Sequence, residues 1–222
     1  MGEKTLALIH NGPVLVEKLE KICAHIIPDV KIINITDSSM VRDIIEFKNH
    51  KLGAKLTRRI IRYALCAEDL GADAIIMTCS SLCGTVDIAK HITDIPVFKI
   101  IKPMAREAVE KGNKIGLIST LASSVEPVKQ QLYESASLLN KKIEVKNTLC
   151  NEAFKVLISG NCEKHNHMLE DAAVELAKTC DVIVLAQGSM ADMSNRLTEL
   201  TKKPVLACLE SGIRQLEQVL CE

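Results

Sequence analysis

Aromatic side chains are nearly missing from this 222-residue chain, which holds three Phe, two Tyr and no Trp. So few rings exclude a surface on which bases stack. Net charge is missing too, because 28 Lys and Arg balance 28 Asp and Glu along the whole length. With no basic block, nucleic acid is not an expected partner. Long apolar runs are absent, and stretches such as Ile75–Met77 and Val182–Ala186 are far too short to cross a bilayer, so no membrane partner is expected either. No Gly-rich loop has the spacing that cradles phosphates, which argues against nucleotide use. The opening Met1-Gly2-Glu3-Lys4 runs straight into a strand-like segment without an apolar leader, predicting a cytoplasmic protein. The nine cysteines are odd in number and scattered through helix and strand patterns, so reduced thiols are expected rather than disulfides.

What is present is core material. Apolar residues make up 47% of the chain, enough for one large or two small globular domains. The most informative stretch is Ala74-Ile75-Ile76-Met77-Thr78-Cys79-Ser80-Ser81-Leu82-Cys83-Gly84. Its apolar start reads as a strand buried on both faces of a parallel sheet, and a helix is predicted from about Ser81 to His91. Cys79 then sits at a strand end facing a helix N-terminus, where N–H groups favour a thiolate. Ser80 and Ser81 are placed to hold an anion beside it. A small buried core thiol is the plainer alternative for Cys79.

The stretch occurs twice. Asp73–Arg106 matches Asp181–Arg214 at one gapless offset of 108, pairing Ile75 with Ile183, Ser81 with Ser189, Pro96 with Pro204 and Arg106 with Arg214. Cys79 falls on Gln187. The first strands echo each other as well, Lys4–His10 resembling Lys114–Thr120. Two α/β halves of one ancestry follow.

Strands alternate with helices throughout. Strands are predicted at Thr5–His10, Val30–Ile35, Ala74–Met77, Ile95–Ile100, Ile115–Ser119, Ile143–Leu149, Val182–Ala186 and Pro204–Cys208. Helices run from Pro13 to about Ala24, from Ala54 to Leu70 before Gly71, and from Pro103 to Gly112. In the second half they cover Ser123–Asn140, Asn151–Ile158 and His167–Lys178, with a last one from Ser211. The polar Thr36-Asp37-Ser38-Ser39 is a candidate cap. The expected fold is α/β, two pseudo-symmetric parallel-sheet domains of flavodoxin-like type with the ligand cleft between them. Residues 1–98 with about 209–222 form the first domain and about 99–208 the second.

This pattern resembles the aspartate/glutamate/hydantoin racemase superfamily, which includes the arylmalonate decarboxylases. The resemblance covers nearly the whole chain and rests on Thr78-Cys79-Ser80-Ser81, on Gly116-Leu117-Ile118-Ser119-Thr120 and on Leu185-Ala186-Gln187-Gly188-Ser189. It implies a cofactor-independent enzyme of two similar domains, in which one cysteine from each half faces the substrate Cα. It further implies Cys79 as the catalytic thiol, Ser80 and Ser81 on the substrate carboxylate, and Asn11 and Thr120 as further ligand-binding positions. The partner is then a small carboxylate, amino acid or hydantoin-like compound, and related proteins are often dimers or larger, so a homo-oligomer is compatible.

One departure bears on mechanism. The second thiol is due at Gln187, in a segment that usually reads Gly-Cys-Thr, and Gln has no titratable proton. Gln187, Gly188 and Ser189 are instead expected as hydrogen-bond donors that bind substrate or stabilise its enolate. The resemblance implies a racemase- or isomerase-type enzyme acting at the substrate Cα with Cys79 as acid–base group. Three readings stay open: a one-sided reaction such as decarboxylation, isomerisation or lyase chemistry with Cys79 alone; a racemase or epimerase whose second base is Cys83, His10 or Asp192; and a non-catalytic carboxylate-binding protein. Elsewhere, Cys162-Glu163-Lys164-His165-Asn166-His167 carries a thiol and two imidazoles but matches no zinc spacing, so it is read as a solvated loop and no metal is expected. Cys79 and Cys83 are too widely spaced for a usual redox pair. Lys48-Asn49-His50-Lys51 is read as a second solvated loop, and Cys66, Cys150, Cys180, Cys208 and Cys221 as core or helix-face residues.

Overall fold

The computed structural model describes residues 3–45 and 53–221, so the Lys48–Lys51 loop lies outside the described residues. In chain order the elements are β1 (Thr5–His10), α1 (Val16–Ile26), β2 (Lys31–Thr36), α2 (Ser39–Ile45), α3 (Ala54–Asp69), β3 (Ala74–Met77), α4 (Val86–Ala89) and β4 (Val97–Lys99). Then come α5 (Lys102–Lys111), β5 (Lys114–Ser119), α6 (Ala122–Leu138), β6 (Glu144–Leu149), α7 (Asn151–Ile158) and α8 (Cys162–Ala177). The chain closes with β7 (Val182–Leu185), α9 (Met193–Thr201), β8 (Val205–Leu206), α10 (Leu209–Arg214) and α11 (Glu217–Leu220). Among the described residues no helix is long and apolar enough to cross a membrane.

The backbone divides into two compact units, one running to Ile101 and resuming at Leu209, the other spanning Lys102–Cys208. The first is a four-stranded parallel sheet of order β2-β1-β3-β4 and the second a four-stranded parallel sheet of order β6-β5-β7-β8. Helices flank both sheets: α3 lies on β1, β2 and β3, and α8 lies on β5, β6 and β7. Composition explains which strand goes where. β1, β3 and β7 are buried at every position, whereas the edge strands β2 and β6 have no fully buried position.

The two ladders share one register. Ile75 pairs with Val97 and Ile183 with Val205, at the offset of 108 seen in the sequence. The first strands are offset by one more residue than that: Leu6 pairs with Ala74 and Ile115 with Val182, which makes Ile9 the counterpart of Ile118, His10 of Ser119 and Asn11 of Thr120. The sequence echo of Lys4–His10 with Lys114–Thr120 is therefore out by one. Apolar strands of uniform character slide along each other in an alignment, and only the hydrogen bonds fix them.

Each unit locks its first strand to the loop before its third. Asp73 accepts from the Thr5 N–H at 2.8 Å and from Lys4 Nζ at 2.7 Å. Its counterpart Asp181 accepts from the N–H groups of Asn113 at 3.0 Å and Lys114 at 2.9 Å. Glycine serves two further needs. Gly71 ends α3 at φ +81 with its N–H on the Glu68 carbonyl at 2.8 Å, the left-handed stop expected there. Gly212 lets α10 lie against β4's exit, since a Cβ would sit 2.4 Å from Ile100 Cγ1 and 2.8 Å from its carbonyl oxygen.

Three local readings change. Past β3 the chain makes a 3-10 turn over Ser80–Thr85 and only one turn of helix, α4, where an α-helix to His91 was expected. The helix α2 was not foreseen; Asp37 opens it, accepting from the Ser39 N–H at 3.0 Å and its hydroxyl at 2.6 Å. The Cys162–His167 segment is not a loop but the start of α8, capped by the Asn161 side chain, which takes the Lys164 N–H at 3.0 Å. That helix turns His165 inward, its Nδ1 lying 2.9 Å from the Ala153 carbonyl, while Cys162 and His167 stay exposed. Cys180 and Cys208 are buried and Cys150 is half-buried, but Cys66 and Cys221 are exposed.

Gly212→Ala is expected to destabilise the protein by about 1–3 kcal/mol, read from the urea midpoint, because Ile100 must move. The hydrogen bonds on Asp73 and Asp181 hold both carboxyls below the usual Asp range, led by the Lys4 ammonium for the first and the Lys114 amide for the second. A depressed folded value contributes stability above the unfolded pKa of about 4, and that stability disappears as pH falls through the folded value. Denaturation midpoints should accordingly drop on acidification, and a D73N/D181N variant should show a flatter drop.

Candidate active site

In the first unit the β1–β3 ladder ends at Ile9 and Met77. The Thr78 N–H still reaches the Ile9 carbonyl at 3.2 Å, and the next residue, Cys79, leaves the sheet in extended conformation (φ −101, ψ 118) at the mouth of the 3-10 turn. Leu82 N–H closes the turn onto the Cys79 carbonyl at 3.0 Å, and the Cys83 sulfur lies 3.5 Å from the same oxygen. Ser80 and Ser81 are buried, whereas Cys79 keeps partial exposure and Asn11 is half-buried at the bend after β1. These four residues belong to one unit and to adjacent strand ends.

Two effects compete at the Cys79 sulfur. Burial pushes the thiol up to about 11, while the Ser81 and Leu82 amides and the Ser81 hydroxyl pull it down. Burial wins. The expected thiolate at a helix N-terminus is thus a thiol at rest, because a 3-10 turn brings few aligned N–H groups and the desolvation of a charged sulfur costs more than they return.

The second unit repeats the backbone and changes the chemistry. Gln187 is extended (φ −121, ψ 144) at the mouth of a 3-10 turn over Gly188–Met190, and Met190 N–H closes onto its carbonyl at 3.1 Å. Gly188 is buried and Ser189 half-buried. The Gln187 amide turns to its own unit: Nε2 donates to Ser124 Oγ at 3.0 Å and to Ser119 Oγ at 3.2 Å, and Oε1 accepts from the Thr120 N–H at 3.2 Å. Ser119 and Ser124 hydroxyls lie 2.7 Å apart and share the Leu121 carbonyl. Thr120, 2% exposed, is thereby held by its main chain in a closed polar knot.

The three residues considered for a second base lie in different surroundings. Cys83 is buried with its sulfur on the Cys79 carbonyl. His10 is buried, its ring between Asn34 and Thr78. Asp192 is exposed in the second unit. Sequence reading missed Ser119 and Ser124 as a pair, Asn34, and Lys99. Each carries a signal in hindsight: Asn34 and Lys99 are lone polar residues in the apolar runs Ile32–Ile35 and Val97–Ile101. Lys99 is 8% exposed and paired with Asp87 of α4 at 2.7 Å, tying β4 to the helix that follows the Cys79 turn.

The sequence profile of the Asp/Glu/Hydantoin racemase family matches residues 13–216. A glutamate racemase from Lactococcus lactis subsp. cremoris is 28% identical over 150 residues, 65% of this chain and 54% of that protein. The chain thus spans about half the length of that curated relative. Among solved structures, a glutamate racemase isoform from Bacillus anthracis superposes with TM-score 0.77 at 16% identity, covering 100% of this chain and 83% of that one. An Asp/Glu racemase assigned in Yersinia pestis gives TM-score 0.74 at 15% identity, covering 99% and 100%. At these identities the structural likeness concerns the fold.

Peptide-resolved alkylation should find exposed Cys66 and Cys162 modified well ahead of Cys79 at mildly alkaline pH, with the Cys79 rate still climbing towards about 11. Gln187→Ala takes the acceptor from the buried Thr120 N–H and a donor from the Ser119 and Ser124 hydroxyls, and is expected to cost about 1–3 kcal/mol in a urea titration.

Proposed function

Because the chain belongs to the Asp/Glu/hydantoin racemase family, we propose that it is an enzyme that moves a proton at the Cα of a small carboxylate, such as an amino acid or hydantoin-like compound. Cys79 is the acid–base group. The observation that carries this reading is the partly exposed thiol at the end of β3, met by the amides of Ser81 and Leu82. A Cα–H beside a carboxylate is a very weak acid, so its removal needs both a positioned base and donors aimed at the enolate oxygens. Ser80, Ser81 and Asn11 supply such donors in the first unit. Thr120, Gly188 and Ser189, at the equivalent strand end, are proposed for the remaining polar groups of the substrate. Gln187, whose amide is occupied within its own unit, serves by fixing Thr120.

A second reading has its own support. A thiol held near 11 keeps its proton at neutral pH, so Cys79 is better prepared to give a proton than to take one. Gln187 offers no proton-transfer group at the corresponding position. Both facts favour one-sided chemistry: loss of CO₂ or another leaving group generates the enolate, and Cys79 protonates it from a single direction. True racemisation takes a proton from one face and returns it to the other, which requires a second acid–base group.

The test is a panel of amino acids, hydantoins and malonates incubated in D₂O with the protein, followed by NMR for Cα exchange and by CO₂ detection. Turnover should fall about 10²–10⁴-fold in Cys79→Ser, the usual worth of one general acid–base group. A product of single handedness, or CO₂, selects the one-sided reaction; a racemic product selects the racemase. Tight binding without exchange would make the protein a carboxylate binder. A Cys79→Ser variant that turns over like the wild type would overturn the thiol assignment.

A further inference from the structure

The residue before the thiol is held by a buried histidine. Asn34 Nδ2 donates to the Glu20 carboxylate at 2.6 Å, and a carboxylate can only accept, so the Asn34 carbonyl oxygen is the atom that faces His10. That oxygen also only accepts, and it lies 3.0 Å from His10 Nε2, which must therefore carry the ring proton. The ring is fully buried, and burial lowers its pKa against the opposing pull of Asn34 and Glu20, so it is neutral. Nδ1 is left with a lone pair, 3.1 Å from Thr78 Oγ1. The Thr78 hydroxyl also lies 2.9 Å from the Ile9 carbonyl, whose second lone pair stays open beside the Thr78 N–H at 3.2 Å. A proton given wholly to that oxygen, however, would leave the Nδ1 lone pair facing the lone pairs of the hydroxyl. The hydroxyl proton is best used on Nδ1. The chain from Glu20 through Asn34 and His10 to Thr78 thus links an exposed carboxylate on α1 to the peptide that enters Cys79.

We propose that His10 is a positioning residue for Cys79: as the neutral, Nε2-protonated ring it anchors the Thr78 hydroxyl through Nδ1 and so fixes the angle at which the thiol meets the Ser81 and Leu82 amides. The proposal rests on Cys79 being the reactive group, but its own consequence is confined to sulfur chemistry and needs no substrate. Nothing equivalent exists in the second unit, where Ser119 and Ala186 occupy the positions of His10 and Thr78. Loss of the Nδ1 acceptor loosens the turn, weakens the amide contacts that favour the thiolate, and slows the thiol.

Two replacements separate this role from space filling. Asparagine places an acceptor where Nδ1 stands and keeps the Thr78 bond; glutamine places a donor where Nε2 stands and keeps only the Asn34 bond. Thiolation of Cys79 by methyl methanethiosulfonate, followed by peptide mass spectrometry in the full-length protein, is expected to fall fivefold or more in His10→Gln and to stay within about twofold of wild type in His10→Asn. A ring that only fills space predicts the reverse order, since Gln is nearer in size, and that order or equal rates would overturn the proposal. Two-bond ¹H–¹⁵N spectra of the histidine rings, with His10→Asn assigning the signal, should show a neutral Nε2–H tautomer; an Nδ1–H tautomer would overturn it independently. These results leave the test of function untouched: a coupled His10 and Cys79 with no Cα exchange on any acid would sink the proposed activity alone.

Discussion

The point at which the β1–β3 ladder stops governs the chemistry of the first unit. Ile9 and Met77 are the last paired residues, Thr78 gives its N–H to Ile9, and Cys79 is the first residue outside the sheet. Strands buried on both faces tolerate no slip, because moving the register by one residue would force Thr78 into hydrocarbon without a partner or carry Cys79 into the sheet. The second unit obeys the same rule: the β5–β7 ladder ends at Ile118 and Leu185, Ala186 gives its N–H to Ile118, and Gln187 leaves. One backbone solution, used twice, presents one side chain at each strand end.

What each unit does with that position differs, and the difference lies in the polar network beneath it. Below Cys79 the network runs outward, from Thr78 through His10 and Asn34 to an exposed carboxylate, and the sulfur itself is met by the Ser81 and Leu82 amides and the Ser81 hydroxyl. Below Gln187 the network closes on itself through Ser119, Ser124 and the Thr120 amide, and the side chain that could face outward is drawn into it. A desolvated thiol stores a proton; a saturated amide stores none. The asymmetry between a thiol and an engaged amide is therefore chemical, at matching strand ends of two similar sheets.

Much of this was legible in the chain itself. Alternating apolar runs and amphipathic helices marked all eight strands to within a residue or two at most ends, because a buried parallel strand demands an unbroken apolar run. The offset of 108 found the repeat, since the third and fourth strands and their turns kept their spacing. The first-strand offset, the 3-10 turn after Cys79 and the helical start of the Cys162–His167 segment were misread. In each case propensity was close to neutral, and hydrogen bonds to distant residues made the choice: Thr78 to Ile9 and His10, and His165 to Ala153.

The sequence by itself determined the architecture, the duplication, and the placing of a cysteine and a glutamine at matching strand ends, because these follow from periodicity and spacing along one chain. Only the tertiary structure decided the state of those two groups. Whether a thiol is ionised and whether an amide has a hand free depend on desolvation and on partners that lie far away in sequence, as Gln187 lies from Ser119 and Ser124, and neither quantity is written in any local pattern.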